Sequence, residues 1–186
     1  MIMKSHYVYS VELGLAEPER AQEFEAWYEV HLQKLLSVPG IVAAQRFRSL
    51  VSTDSPLLAL YQLESPGALE TPEYKSKAGP SSASAWKFSC WRRNIFECDG
   101  IWPDVGGDLN LVVFDGDSES TLGLVTAPTI TMKPIALDRS VRIRLLAATQ
   151  ERAIGSPLSG WSTRIFAPIS GRLRAPVNSA ARDRMG

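Results

Sequence analysis

AQEFEAWYEVHLQKLLSVPGIVAAQRFR, residues 21–48, decides the fold. At about 100° per residue, Ala21, Phe24, Trp27, Tyr28, His31, Leu32, Leu35 and Leu36 fall on one broad face of a helix. Gln22, Glu23, Glu25, Glu29, Gln33 and Lys34 fall opposite, with Val30 as an apolar exception. Pro18 suits a first helical position, and Glu19 suits the first turn, where the helix dipole is positive. The helix is predicted to run to about Ser37, where Pro39-Gly40 stops it. IVAAQRFR, residues 41–48, then reads as a strand. His31 falls near the centre of the apolar arc, so an imidazole lies between this helix and whatever it covers.

Working outward, HYVYSVEL at 6–13 alternates, with Tyr7, Tyr9, Val11 and Leu13 on one face of a strand. LLALYQLE at 57–64 is flanked by the turn residues Ser55-Pro56 and Ser65-Pro66-Gly67. Residues 68–78 read as short helical pieces restarted by Thr71-Pro72 as cap and first turn. GPSSASA at 79–85 is a loop, and KFSCWRRNIFE at 87–97 another strand. The order is β-α-β-β-α-β, an α+β, ferredoxin-like module with one antiparallel sheet and both helices on one face. The other sheet face is apolar and needs covering, most simply by a second sheet.

Residues 99–108 (DGIWPDVGGD) punctuate the chain as a connector. LNLVVFD at 109–115, SVRIRLLAAT at 140–149 and GWSTRIFAPI at 160–169 are strand-like, without an amphipathic helix between them. The expected division is therefore a ferredoxin-like module over 1–104, a divergent β-rich half over 105–170, and a flexible basic tail over 171–186. Residues 109–169 are expected to supply part of the cover for the apolar sheet face.

The 186 residues are 45% hydrophobic and 22% charged, with 20 Lys and Arg balancing 20 Asp and Glu. Those values suit a globular chain and disfavour a basic nucleic-acid binder. No apolar run approaches the ~20 residues of a membrane span. MIMKSHYVYS lacks a signal-peptide pattern, so the expected location is cytoplasmic, with Cys90 and Cys98 as reduced thiols. The chain's two histidines, His6 and His31, and two cysteines are too scattered for a metal site built on them. Neither G-x-G-x-x-G nor G-x-x-x-x-G-K-[ST] occurs.

Trp27-Tyr28, His31-Leu32 and the Pro39-Gly40 entry to a strand ending Arg46-Phe47-Arg48 together resemble the dimeric α+β barrel superfamily, and its EthD-like group in particular. LALYQLESP at 58–66 and Trp91-Arg92-Arg93-Asn94 extend the resemblance over about residues 6–98. It implies a module that binds a small, often aromatic or polyketide-like molecule between sheet and helices. It also implies cofactor-independent dehydratase, cyclase, decarboxylase or monooxygenase chemistry in several relatives. The second half contains no further W-Y-x-x-x-H and no clear second Pro-Gly strand entry; taken as a degenerate second repeat it completes the α+β barrel within one chain, which sets that closure against the homodimer the resemblance implies.

Imidazole exchanges protons near neutral pH, so His31 is the candidate general acid and base. Tyr28 and Tyr61 are candidate hydroxyl donors to a bound oxygen. Phe24, Trp27, Leu35, Tyr7, Tyr9 and Trp91 are candidate walls for a small hydrophobic or aromatic ligand. Arg46, Arg48, Arg92 and Arg93 either bind an acidic group or pair with carboxylates. Asp115, Asp117 and Glu119 lack the full calcium-loop spacing and read as a solvated turn. No cofactor and no metal is expected. Three functions follow: an enzyme of proton-transfer chemistry, a non-catalytic small-molecule-binding or accessory module, or a scaffold with a packed interior.

Overall fold

The structure, a computed structural model, describes residues 6–79, 87–117, 127–150 and 160–176. β1 (His6–Leu15) leads through a short 3-10 turn at Pro18–Arg20 into α1 (Ala21–Leu36). Arg20 pairs with Glu17 and Glu23, fastening that entry. The Ser37 hydroxyl donates to the Lys34 carbonyl at 2.8 Å at the far end. Gly40 has φ +88°, and a Cβ there would lie 3.0 Å from the Ala68 Cβ. The Pro39-Gly40 stop therefore needs glycine for both conformation and space.

β2 (Ile41–Ser49) and β3 (Leu57–Leu63) follow, then a 3-10 segment at Pro66–Glu70, α2 (Pro72–Lys77) and β4 (Phe88–Cys98). The Thr71 hydroxyl accepts from the Tyr74 amide at 3.2 Å, which makes it the expected cap of α2. Of the loop expected at 79–85, only Gly79 is among the described residues. β5 (Asn110–Gly116), β6 (Ile130–Leu137), β7 (Ile143–Thr149), β8 (Trp161–Pro168) and β9 (Leu173–Arg174) complete the chain.

Eight strands close into an antiparallel barrel in the order β3-β1-β4-β6-β7-β5-β8-β2, with β2 returning to β3. Residues of the second half thus complete the barrel begun by the first. The joins are β4 against β6, with Cys98 opposite Met132, and β2 against β8, with Phe47 opposite Pro168. The first four strands lie as β2-β3-β1-β4 and the second four as β6-β7-β5-β8. Each half therefore runs second, third, first, fourth. The connections that take the places of α1 and α2 in the second half lie mostly outside the described residues.

Two elements depart from the expectation. β6 carries Pro134, which argues against a central strand, yet Pro134 sits at a shift of register opposite Phe96, where a missing N–H is tolerated. The polar residues after 170 do not all form a tail: Ala43 and Ala44 pair with Arg174 and Leu173, and the Ala175 amide donates to the Val42 carbonyl at 2.8 Å. Residues 177–186 lie outside the described residues.

Alternation sorts the core into layers. Tyr9, Val11 and Leu13 of β1 and Leu57, Ala59, Tyr61 and Leu63 of β3 pack outward under α1 with Phe24, Tyr28, Leu32 and Leu35. Val8, Phe47, Leu58, Leu60, Phe96, Leu111, Val113, Leu146 and Phe166 fill the barrel, joined by Trp102 and Val105 of the connector. Val112, Phe114, Ile143, Leu145 and Trp161 make a third cluster on the other face of the second half. No helix among the described residues is long and apolar enough to cross a membrane.

Candidate functional site

α1 does not lie flush on the sheet. Between its Trp27-Tyr28-His31-Leu35 face and the outward residues of β1 and β3 is a cavity of about 40 Å³. Its walls include Tyr9, Val11 and Leu13 from β1, Tyr61 from β3, and Tyr74 and Ala78 from α2 and its end. Phe88 and Trp91 of β4 close the remaining side, and Trp91 is 38% exposed. Most of the sequence candidates meet here: His31, Tyr28, Tyr61, Trp27, Leu35, Tyr9 and Trp91 all line the cavity. Phe24 stands behind it, in ring contact with Trp27 at 6.0 Å and Tyr28 at 5.5 Å. Tyr7 packs against the same core but lies outside the lining.

His31 is not at the centre of the buried arc. Phe24, Tyr28, Leu32 and Leu35 are buried, whereas Trp27 and His31 are half-buried on its flank. The cavity opens on that flank, beside Trp27 and His31. The imidazole stacks on Trp27, with centroids 4.7 Å apart and planes 13° from parallel. Burial, aided by the Lys34 charge, lowers its pKa to about 4. The ring is therefore neutral at pH 7, with nitrogens able to accept a proton. Val30, the apolar exception on the polar side, is 57% exposed.

Two of the tyrosines form a hydroxyl pair, Tyr28 and Tyr61, which share a hydrogen bond of 2.8 Å. Tyr9 stacks on Tyr61 at 5.5 Å, and Tyr74 lines the same cavity. Burial raises the pKa of all four, so they are neutral donors at physiological pH. The Arg46 guanidinium lies 4.1 Å over the Tyr28 ring. Its Nη2 is 2.8 Å from Glu25 Oε2, in an ion pair rather than a well-aimed hydrogen bond. Arg48 reaches the other oxygen of Glu25 at 3.3 Å. These two arginines therefore pair with a carboxylate of α1 across the rim.

A second polar constellation occupies one mouth of the barrel, and sequence reasoning missed it. Glu12, on the inward side of β1, pairs with Arg144 of β7 and Arg164 of β8, each at 2.6 Å. Asp115 of β5 pairs with the same two arginines at 2.6 and 2.7 Å. Asp115 is thus not a solvated turn residue, as expected for the 115–119 stretch; its carboxylate faces two guanidinium groups inside the barrel. Asp117 is exposed beside it, and Glu119 lies outside the described residues. Burial alone would raise the Glu12 pKa, but the Arg144 charge and the Arg164 hydrogen bond outweigh it and hold the carboxyl at about 2. The signal was present in the pattern: Ser10 and Glu12 alternate with Tyr9, Val11 and Leu13, so a carboxylate had to face the side of the sheet opposite the helix.

Among the described residues, no three His, Cys, Asp or Glu side chains converge as a metal site requires. Burial, with the nearby Asp99 and Glu97 charges, pushes the Cys98 thiol up to about 12, so it stays protonated.

No family model matches the chain, and no curated protein sequence matches it. Solved structures do resemble it. An anthrone oxidase-like protein superposes with a TM-score of 0.60 at 9% identity, over 92% of this chain and 94% of that one. A candidate monooxygenase from Lactobacillus acidophilus NCFM gives 0.54 at 8% identity, over 92% and 100%. Another from Fusobacterium nucleatum subsp. nucleatum ATCC 25586 gives 0.51 at 10% identity, over 94% and 98%. At such identities the likeness is one of fold, an α+β barrel.

Proposed function

We propose that the chain is a small-molecule enzyme whose reaction centre is the cavity under α1, with His31 as general acid and base. The observation that carries this reading is one arrangement: the His31 imidazole and a buried, hydrogen-bonded tyrosine pair line the same cavity. The chemistry it suits is removal of a proton next to the carbonyl of an aromatic or polyketide-like compound, followed by loss of water or ring closure. The Tyr28–Tyr61 pair would donate to the substrate oxygen as negative charge grows there. An imidazole at about 4 is a weak base, but an enolate forming beside it raises its pKa toward neutrality. Base strength would therefore increase as the transition state is approached.

The anthrone oxidase-like neighbour suggests the scale of the substrate, a fused aromatic ketone. The cavity as it stands, about 40 Å³, holds a few waters. An aromatic ring needs a cavity nearer ~150 Å³. Binding would therefore swing the half-exposed Trp91 and Trp27 rings aside, which makes tryptophan emission a direct reporter. The reading goes with the first half as a ferredoxin-like, EthD-like module and the second as its degenerate repeat.

The test is titration with anthrone followed by tryptophan fluorescence, with native mass spectrometry of freshly purified protein to find any retained guest. Saturable quenching in the native chain, weakened at least about tenfold by Leu35→Trp, which fills the cavity, is the expected result. Turnover of an identified substrate should fall by ~10²–10⁴ in His31→Gln while binding persists. Binding with unchanged turnover in that variant would favour the non-catalytic binding module. Homodimerisation belongs to the same reading, and sedimentation equilibrium tests it: a monomer across the concentration range removes it.

A further inference from the structure

The charged mouth of the barrel opens into a cleft of about 710 Å³. It lies across the sheet from the cavity under α1, because Glu12 faces it while Val11 and Leu13 face the helix. Its floor is the compensated network of Glu12 and Asp115 with Arg144 and Arg164. Around that floor stand Arg92, Arg139 and Arg142, with Asp117 as the remaining carboxylate. Five arginines thus face three carboxylates. Among the described residues neither Arg139 nor Arg142 has an ion-pair partner. Arg139 donates one N–H to the Ile135 carbonyl at 3.1 Å, and Arg92 reaches Glu12 only at 4.0 Å.

The turn that presents two of these arginines is built rather than loose. Leu137 and Arg139 have φ of 66° and 46°, in the left-handed region that bulky residues avoid. Asn94, buried in β4, grips the turn with both ends of its amide. Its Nδ2 donates to the Ser140 hydroxyl at 2.8 Å, and its Oδ1 accepts from the Ser140 amide at 2.9 Å. The Asp138 amide donates to the Arg93 carbonyl at 2.9 Å, and Asp138 Oδ2 accepts from the Arg93 amide at 2.6 Å. These four bonds hold the backbone of the turn at Asp138 and Ser140, on either side of Arg139, so the turn itself need not be ordered when a ligand binds. Trp161 forms an aromatic wall seated on Gly116, where a Cβ would lie 2.4 Å from the ring.

We propose that this cleft is a binding site for a small organic oxyanion carrying at least two negative charges, held by Arg92, Arg139 and Arg142. Planar guanidinium groups bind carboxylate and phosphate oxygens through paired N–H donors, so both groups share the recognition chemistry. The neutral floor leaves the excess positive charge with the rim. Calorimetric titration of the full chain at about 150 mM salt, with citrate in one arm and pyrophosphate in the other, tests the site. Saturable one-site binding is expected, and the tighter arm identifies carboxylate or phosphoryl as the preferred source. Arg142→Gln should weaken it about tenfold, and Arg92→Gln with Arg142→Gln further still. His31→Gln should leave it unchanged, which separates this site from the one under α1. Should the double variant fail to fold, the exposed Arg142→Gln carries the test. No saturable heat in either arm, equal affinity in Arg142→Gln, or an equal loss in the distant Arg48→Gln would overturn the proposal.

Discussion

Acidification should destabilise this protein through His31 before it does so through the buried Glu12. The imidazole is held at about 4 in the folded chain against 6.5 unfolded. The unfolded state then binds the extra proton between those values, so stability rises with pH across the window. The contribution is fully present above about pH 6.5 and is lost as pH falls toward 4. The difference corresponds to about 3 kcal/mol in full, of which about 2 kcal/mol is gone by pH 5. Water at the open side of the cavity reduces that to about 1–2 kcal/mol. Glu12 does not confuse the measurement, because its window runs from 4.5 down to about 2. Urea unfolding followed by far-ultraviolet circular dichroism at pH 7.5 and pH 5 measures the loss directly. His31→Gln cannot take up the proton, so its stability should change less over the same interval by about 1–2 kcal/mol. Equal losses in the two proteins would refute the placement of a neutral imidazole against Trp27 under α1.

Three further outcomes follow from the same geometry. Glu12→Gln leaves Arg144 buried with one carboxylate fewer and should cost about 3–5 kcal/mol in urea unfolding at pH 7. It should also flatten the acid transition between pH 4.5 and 2, since stability from a lowered carboxyl pKa is lost as pH falls through that window. Tyr61→Phe strands the Tyr28 hydroxyl and should cost about 1–3 kcal/mol by thermal unfolding, whereas the double change to Phe at 28 and 61 should cost less than the sum. Alkaline titration followed at 295 nm should show Tyr28 and Tyr61 silent until the chain unfolds, since burial raises both.

The helix-covered half was legible because each of its signals is local. The α1 face, the Pro39-Gly40 stop, the Thr71 cap and the alternation of Tyr7–Leu13 and Leu57–Leu63 all follow from short-range periodicity and turn chemistry. That is also why the cavity residues were legible: a helix face and two strand faces that must meet will bring Tyr28, His31, Tyr9 and Tyr61 together. Tyr74 and Phe88 were missed because their approach depends on where α2 and β4 cross the sheet, which no local pattern encodes. β6 was hidden by Pro134, whose tolerance depends on a bulge that only its partner β4 defines. Arg144 and Arg164 drew no reading of their own, because only closure of the barrel places them against Glu12, 132 and 152 positions away.

That long-range charge network also explains how one sheet can present polar chemistry on both faces. Glu12, Arg144, Asp115 and Arg164 tie β1, β7, β5 and β8 together across the closed barrel. Arg144 is 1% exposed and Glu12 4% exposed in side-chain surface, so each charge needs the opposite charges of the network around it. A half-chain lacking β5, β7 and β8 would leave Glu12 facing the apolar side of its own sheet with only the exposed Arg92 at 4.0 Å for a partner. The same strand would still offer Tyr9, Val11 and Leu13 to α1. The outer cavity is therefore local to the first half, while the short ion pairs of the charge buried in its supporting sheet come from the second half. The two halves of the barrel are thus joined by electrostatics as well as by apolar burial.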